Sequence, residues 1–187
     1  MKSFKEFYLL NEVQRYKGEV TYQKDDKFRL ISINNIYDML VLHEDNDFYY
    51  LVNKQKTSGF VFDKDDFKTS KNLRPVMSLN LRQVFNNLQQ VHRLRIRESY
   101  ARVNVTTEWY RAFIKEFGAI VSDTEHLEGG YKLWRSFINS DEFKVSLYDT
   151  NQNKIVIDNI PSDIEDEVIW SWDESKRNLV MILTSKL

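Results

Sequence analysis

Residues 117–134 read FGAIVSDTEHLEGGYKLW. The apolar run Ala119, Ile120, Val121 stops at a polar corner, Ser122-Asp123-Thr124, and predicts a short buried strand. Leu127, Tyr131, Trp134 and Ile138 then recur at helical spacing, with the pair Gly129-Gly130 near the start of that helix. Ser122 to Glu125 carries the S-x-x-E pattern of a capping box. Strand, sharp corner and helix form an α/β unit, whose carboxyl edge is where α/β sheets bind ligands.

Upstream, Trp109, Tyr110, Phe113, Ile114 and Phe117 predict another helix, with Thr106 or Thr107 as N-cap. Gly118 can end it at positive φ and release the chain into the strand. Val91 to Glu98 alternates, with Leu94 and Ile96 on one face and Arg93, Arg95 and Arg97 on the other, which predicts a strand. Before it, Leu81, Val84, Phe85, Leu88 and Val91 recur at three and four residues and predict a helix. The runs Ile36–His43 and Phe48–Asn53 flank the turn Glu44-Asp45-Asn46-Asp47, and Gly59–Phe62 adds a third strand. The charged stretch Asp63–Asn72 reads as a loop. Downstream, two hairpins are predicted, Phe143–Tyr148 with Lys154–Asp158 and Val168–Trp172 with Leu179–Leu183. Strand-helix-strand units need parallel neighbours and hairpins need antiparallel ones. The expected fold is therefore α/β (α+β), a mixed, mostly antiparallel central sheet flanked by helices. Phe4, Phe7 and Tyr8 mark residues 1–12 as an amphipathic helix or leader, ahead of a single domain over 13–187.

Composition narrows the function. A chain of 187 residues, 42% hydrophobic and 29% charged, has the makings of a folded core under a polar surface. The formal charge of −1 argues against bulk electrostatic capture of nucleic acid. With no cysteine, a thiol nucleophile and a thiolate metal site are excluded, and His43, His92 and His126 form no paired ligand motif, so no metal is expected. No run approaches membrane-spanning length and residues 1–12 lack a secretory core, so an intracellular protein is expected, with no membrane partner.

The segments LRIRESY, ARVNVTTEWYRAFIKEFG, AIVSDTEHLEGGYKLWRSF and IWSWDESKRNLVMIL, spread over residues 91–183, resemble the GNAT superfamily of acyltransferases, and in particular a GNAT-like group of tailed phages. The resemblance implies an N-acyltransferase that takes acetyl-CoA and an amine acceptor. It also implies that the strand at 91–98 splays from its neighbour, leaving a groove where the pantetheine arm pairs with exposed backbone. The pyrophosphate would lie on the following turn, which assigns Arg102, Val103, Asn104, Val105, Thr106 and Thr107 to the cofactor. Backbone N–H groups at a helix amino terminus suit that anion. The family turn favours glycine, and here Ala101, Asn104 and Thr106 stand at the matching positions, Asn104 being the residue most tolerant of left-handed backbone. The family's tyrosine acid falls at Trp134, with Tyr131 one turn earlier as a substitute.

The catalytic candidates are then Glu98 as general base, Tyr131 as acid and Asp123 to orient the amine, each with a structural alternative. Glu98 can pair with an arginine, and Asp123 can cap the helix. The face of Arg93, Arg95 and Arg97 either lines a cleft for an anion or pairs with the acidic stretch Asp158 to Glu174. MKSFKEFYLLNE is similar to the capsid-targeting leaders of internal head proteins of large tailed phages, with Leu10-Asn11-Glu12 at the cleavage site. That similarity implies capsid components as partners, packaging in the virion rather than only host cytoplasm, and a non-catalytic virion or interaction protein as the alternative function.

Overall fold

The computed structural model describes residues 20–24, 28–100, 104–123, 128–169 and 178–186. The leader at 1–12, Arg102, Val103, Thr124, Glu125, His126, Leu127 and the pair Trp170 and Trp172 lie outside the described residues.

The strands are β1 (Val20–Gln23), β2 (Ile31–Ser32), β3 (Met39–Glu44), β4 (Phe48–Asn53), β5 (Ser58–Asp63), β6 (Asn72–Leu73), β7 (Met77–Gln83), β8 (Gln89–Arg97), β9 (Ala119–Val121), β10 (Phe143–Asp149), β11 (Lys154–Ile157) and β12 (Leu179–Ser185). The helices are α1 (Ile33–Tyr37), α2 (Lys64–Thr69), α3 (Val105–Phe117), α4 (Glu128–Ile138) and α5 (Asp166–Ile169). A ten-stranded sheet runs β11-β10-β12-β9-β8-β7-β5-β4-β3, with β1 paired to β8 off this path, and β2 pairs β6 separately. Only β8 with β9 and β8 with β1 are parallel in that sheet; the other registered pairs are antiparallel. The expected mixed, mostly antiparallel sheet flanked by helices is the observed one.

Side-chain alternation divides the core. In β4, Tyr50 and Val52 enter the main core while Tyr49 and Leu51 point to the opposite face. The main core takes the apolar stripe of α3, namely Val105, Trp109, Tyr110, Phe113 and Ile114, together with Trp134 and Phe137 of α4. The Trp109 and Phe113 rings stack at 4.9 Å, and Tyr110 meets Phe137 at 5.2 Å, so both helices cover one face. Across the sheet, Ile36, Leu51, Phe62 and Leu73 make a smaller cluster, and Val121, Tyr148 and Val180 another. Each buried apolar side chain contributes about 1.5–3 kcal/mol, so the aromatic α3–α4 layer carries much of the stability.

Several local expectations are corrected. Leu81–Val91 is no helix: β7 and β8 form a hairpin closed by a single 3₁₀ turn at Phe85–Asn87. Asn86 and Asn87 take φ values of 51° and 61°, a conformation asparagine tolerates, and this reverses the chain. The helix-like spacing arises because Leu81 and Val91 enter the main core while Val84, Phe85 and Leu88 pack on the far cluster. The charged stretch after Asp63 is helical in α2, because the Asp63 carboxylate accepts the Asp65 N–H at 2.9 Å and Lys68 sits in the last turn. The run Ile36–His43 divides into α1 and β3. Val168 and Ile169, the described part of the expected hairpin arm Val168–Trp172, are helical in α5, and β12 inserts between β10 and β9. The α3 N-cap is Asn104, with no side-chain bond, rather than a threonine; Gly118 ends the helix at φ 87° as expected.

The β10–β11 turn shows how acidic groups hold loops here. The Asp149 carboxylate accepts the N–H groups of Asn151 and Gln152 and the side-chain amides of Gln152 and Asn178, all within 3.0 Å. These donors, the Gln152 N–H first, hold its carboxyl below the usual range. Its contribution is complete above the unfolded value of about 3.9 and is lost as pH falls through the lower folded value. Asp149→Ala is expected to melt several degrees below the unaltered chain at neutral pH. The gap should close as melts are repeated toward strong acid.

Candidate active site

On one edge β8 is paired to β7 along its length; on the other it has two short partners. Gln90 registers with Val121 of β9, and Leu94 to Arg97 register with Val20 to Gln23 of β1. Between Gln90 and Leu94 neither strand is in register with β8 among the described residues. β9 thus leaves β8 after a single registered pair, where its strand ends at Val121, and the edge on which the resemblance implies an open groove is held by β1 from Leu94 to Arg97.

At the parting lies a bulge. Asn80 pairs Arg93 and Leu81 pairs Val91, which leaves His92 as the extra residue of β8. A bulge keeps Val91 and Leu94, three residues apart, on the same buried face, and it re-aims the side chain between them. His92 emerges about half exposed, with Nδ1 3.5 Å from Oδ2 of the buried Asp123.

The Ser122-Asp123 corner is fixed from both sides. Ser122 N–H donates to the Met181 carbonyl at 2.8 Å, and the Met181 N–H donates to Ser122 Oγ at 2.9 Å, which locks β9 to β12. The Ser122 hydroxyl donates to the Asp123 carbonyl at 2.9 Å. From β8, buried Gln90 donates through Nε2 to the Ser122 carbonyl at 2.6 Å and accepts from Arg82 Nε at 2.6 Å. The corner thus pins two strands and aims Asp123 at His92. Gln90→Ala strands the buried Ser122 carbonyl and is expected to cost about 1–3 kcal/mol, read as a lower urea midpoint.

The remaining candidates fall into other groups. Glu98 lies in a 3₁₀ turn past the end of β8, six residues from His92 and so roughly 20 Å along the strand. That end of β8 is a structural cluster: Arg97 lies 3.9 Å from Asp66 and 4.6 Å over the Tyr100 ring, and the Tyr100 hydroxyl donates to Asp63 at 2.7 Å. Burial, then the bond to Asp63, push the Tyr100 hydroxyl up to about 12. Of the arginine face, Arg97 pairs with Asp66 of α2, and Asp158 of the acidic stretch pairs with Lys144 at 2.7 Å; Asp173 and Glu174 of that stretch lie outside the described residues. Tyr131 donates to Asp166 at 2.7 Å, a bond that raises its pKa, and Arg135 reaches the same carboxylate at 2.9 Å. Its proton is committed to α5. Trp134 is fully buried against Tyr110 and Phe137.

In the turn after β8, Asn104 is exposed with φ −78°, so it does not use the left-handed freedom expected of it. Val105 and Thr106 turn their side chains into the core, Thr106 Oγ1 lying 3.6 Å from Met77 Sδ, while Thr107 is half buried. The first helical bond is Glu108 N–H to the Asn104 carbonyl, so the N–H groups of Val105, Thr106 and Thr107 precede it. What the described residues of this turn can offer an anion is backbone. A separate cleft of about 430 Å³ lies between the β3–β4 turn and α2, where Asp47, Asp63 and Asp65 offset Lys64 and Lys68. That lining of mixed sign does not suit a polyanion.

No family model, curated protein or solved structure matches this chain. Among the described residues no cluster of three or more His, Asp or Glu is placed to hold a metal, and no helix is long and apolar enough to cross a membrane. Sequence reasoning missed His92. The trace it leaves is two polar residues, His92 and Arg93, between Val91 and Leu94, which share one buried face. That spacing is a bulge signal in an otherwise alternating strand.

Proposed function

We propose that this chain is a GNAT-like N-acyltransferase of a tailed phage, taking acetyl-CoA and an amine, with its centre at the parting of β8 and β9. One observation carries it: two parallel strands share a single registered pair, and just past it, where β9 ends, a half-exposed histidine faces a buried aspartate. Acetyl-CoA supplies the acyl group as a thioester. The first-turn N–H groups of α3 at Val105, Thr106 and Thr107 would hold its pyrophosphate, because helix amino termini favour anions. Asp123, 3.5 Å from Nδ1 of His92, would orient the ring through that nitrogen, leaving Nε2 to accept the proton of the attacking amine as the new N–C bond replaces the thioester C–S bond. The departing sulfur takes up a proton. Calorimetry with CoA and acetyl-CoA, beside thermal melts, tests the assignment. Neither heat nor stabilisation at millimolar ligand would remove it.

A second reading, a non-catalytic virion or interaction protein on the same scaffold, is favoured by β1, which already pairs with the β8 edge. Mass spectrometry of phage particles distinguishes it: a packaged chain beginning at Val13 supports it, and absence from particles opposes it.

A further inference from the structure

The two neighbours on the outer edge of β8 differ in how they are joined to the rest of the sheet. β9 belongs to the continuous path and is tied to β12 by three registered pairs. β1 lies off that path; among the described residues its strand partner is β8, at Val20↔Leu94, Thr21↔Arg95, Tyr22↔Ile96 and Gln23↔Arg97. Withdrawing β1 therefore breaks one four-residue pairing and its contacts with α4, and leaves the order β11-β10-β12-β9-β8-β7-β5-β4-β3 whole.

A strand edge offers a single row of main-chain donors and acceptors. A chain segment already in register on that row and an extended ligand that pairs with the same backbone exclude one another. The edge at Leu94–Arg97 runs from just beyond the His92 bulge toward the turn that leads into α3. An arm reaching from the α3 amino terminus to His92 must cross it. The pantetheine arm of an acyl-CoA is such a ligand, since it is extended and carries two amide groups.

We propose that β1 is a displaceable occupant of this edge, and that Val20–Gln23 must leave β8 before an acyl-CoA arm can lie along Leu94–Arg97. The inference rests on the acyl-CoA reading above and adds a closed state to it. The closed state lowers apparent affinity by the fraction of molecules whose edge is open. Any event that draws the amino-terminal segment away, such as contact with a partner or cleavage before Val20, would raise affinity without changing a residue of the centre.

The test uses the full chain with Thr21→Pro and, separately, Tyr22→Pro. In a parallel pair alternate residues direct their N–H and C=O groups to a given neighbour, so one of the two prolines removes a donor from the β1–β8 ladder. That variant should show faster hydrogen exchange at Leu94–Arg97 and bind CoA at least about tenfold more tightly by calorimetry. In the unaltered chain, saturating CoA should deprotect the Val20–Gln23 amides. If CoA binds the unaltered chain and the variants equally, or binds while Val20–Gln23 stay protected, the occupant idea is overturned and the acyl-CoA reading survives. If the edge is opened by exchange criteria and still takes no CoA, the acyl-CoA reading falls, and the occupant idea falls with it.

Discussion

Gly59→Ala is expected to lower stability by about 2–4 kcal/mol, from overpacking and a lost hydrogen bond. A Cβ at Gly59 would meet Trp109 Cζ2 at 2.4 Å and Cε2 at 2.8 Å, with Leu79 Cδ1 at 3.1 Å. The indole has little room to retreat. Trp109 is fully buried, stacks on Phe113 and donates its Nε1–H to the Leu51 carbonyl at 3.1 Å. Moving the ring breaks that bond and disturbs the layer that joins α3 to β4 and β5. Against a total of about 5–15 kcal/mol, the loss is a large share of what holds the chain folded. Urea unfolding reads it directly, and a change under about 0.5 kcal/mol would show that the core can yield. Trp109→Phe removes the offending ring edge, so in Gly59→Ala/Trp109→Phe the two costs should add to less than their sum.

On the acyltransferase proposal, His92→Gln should slow amine acylation by about 10²- to 10⁴-fold, the usual value of a positioned acid–base group, with CoA affinity nearly unchanged. Asp123→Asn should slow the reaction as well, because it loses the charge that steadies a protonated ring at Nδ1. Glu98→Gln is the discriminating control. Roughly 20 Å along β8 from the bulge, its carboxylate cannot serve the same reacting atom, so its rate should stay close to that of the unaltered chain. The readout is mass-detected acetylation of a simple amine. A large loss in Glu98→Gln with none in His92→Gln would move the centre to the far end of the strand.

Much of the fold was legible because it is local. Ala119–Val121, Phe48–Asn53 and the β10–β11 hairpin each follow from alternation or an apolar run between turn residues, and each appears where expected. The failures have one cause, in that spacing along the chain does not say which side of a sheet a residue serves. The stripe from Leu81 to Val91 divides between two cores, and a stripe shared between faces looks helical. Asn86-Asn87 was the local evidence against a helix. The candidate site was half legible. Asp123 stands out as the polar corner after a buried strand, but His92 acquires its role only when β8 and β9 meet, which brings residues 31 positions apart to 3.5 Å. Tyr131 lies one turn before Trp134 and carries an acid's hydroxyl, but only packing reveals that this hydroxyl is given to Asp166.

The place of β12 has a consequence for how the protein is made. Val121 and Tyr148 belong to strands that are not paired to each other; Leu179–Ser185 lies between them and is bonded to both. As the nascent chain leaves the ribosome, β9 and the β10–β11 hairpin emerge with a vacant slot between them. The carboxyl-terminal third cannot close on the earlier strands until the last of the described strands is synthesised and threads into the middle of the sheet. Ser122, whose hydroxyl accepts the Met181 N–H, waits for the same event. Asp123 is therefore set beside His92 late, and a ribosome paused before residue 179 would hold an assembled β3–β8 platform with an unfinished centre.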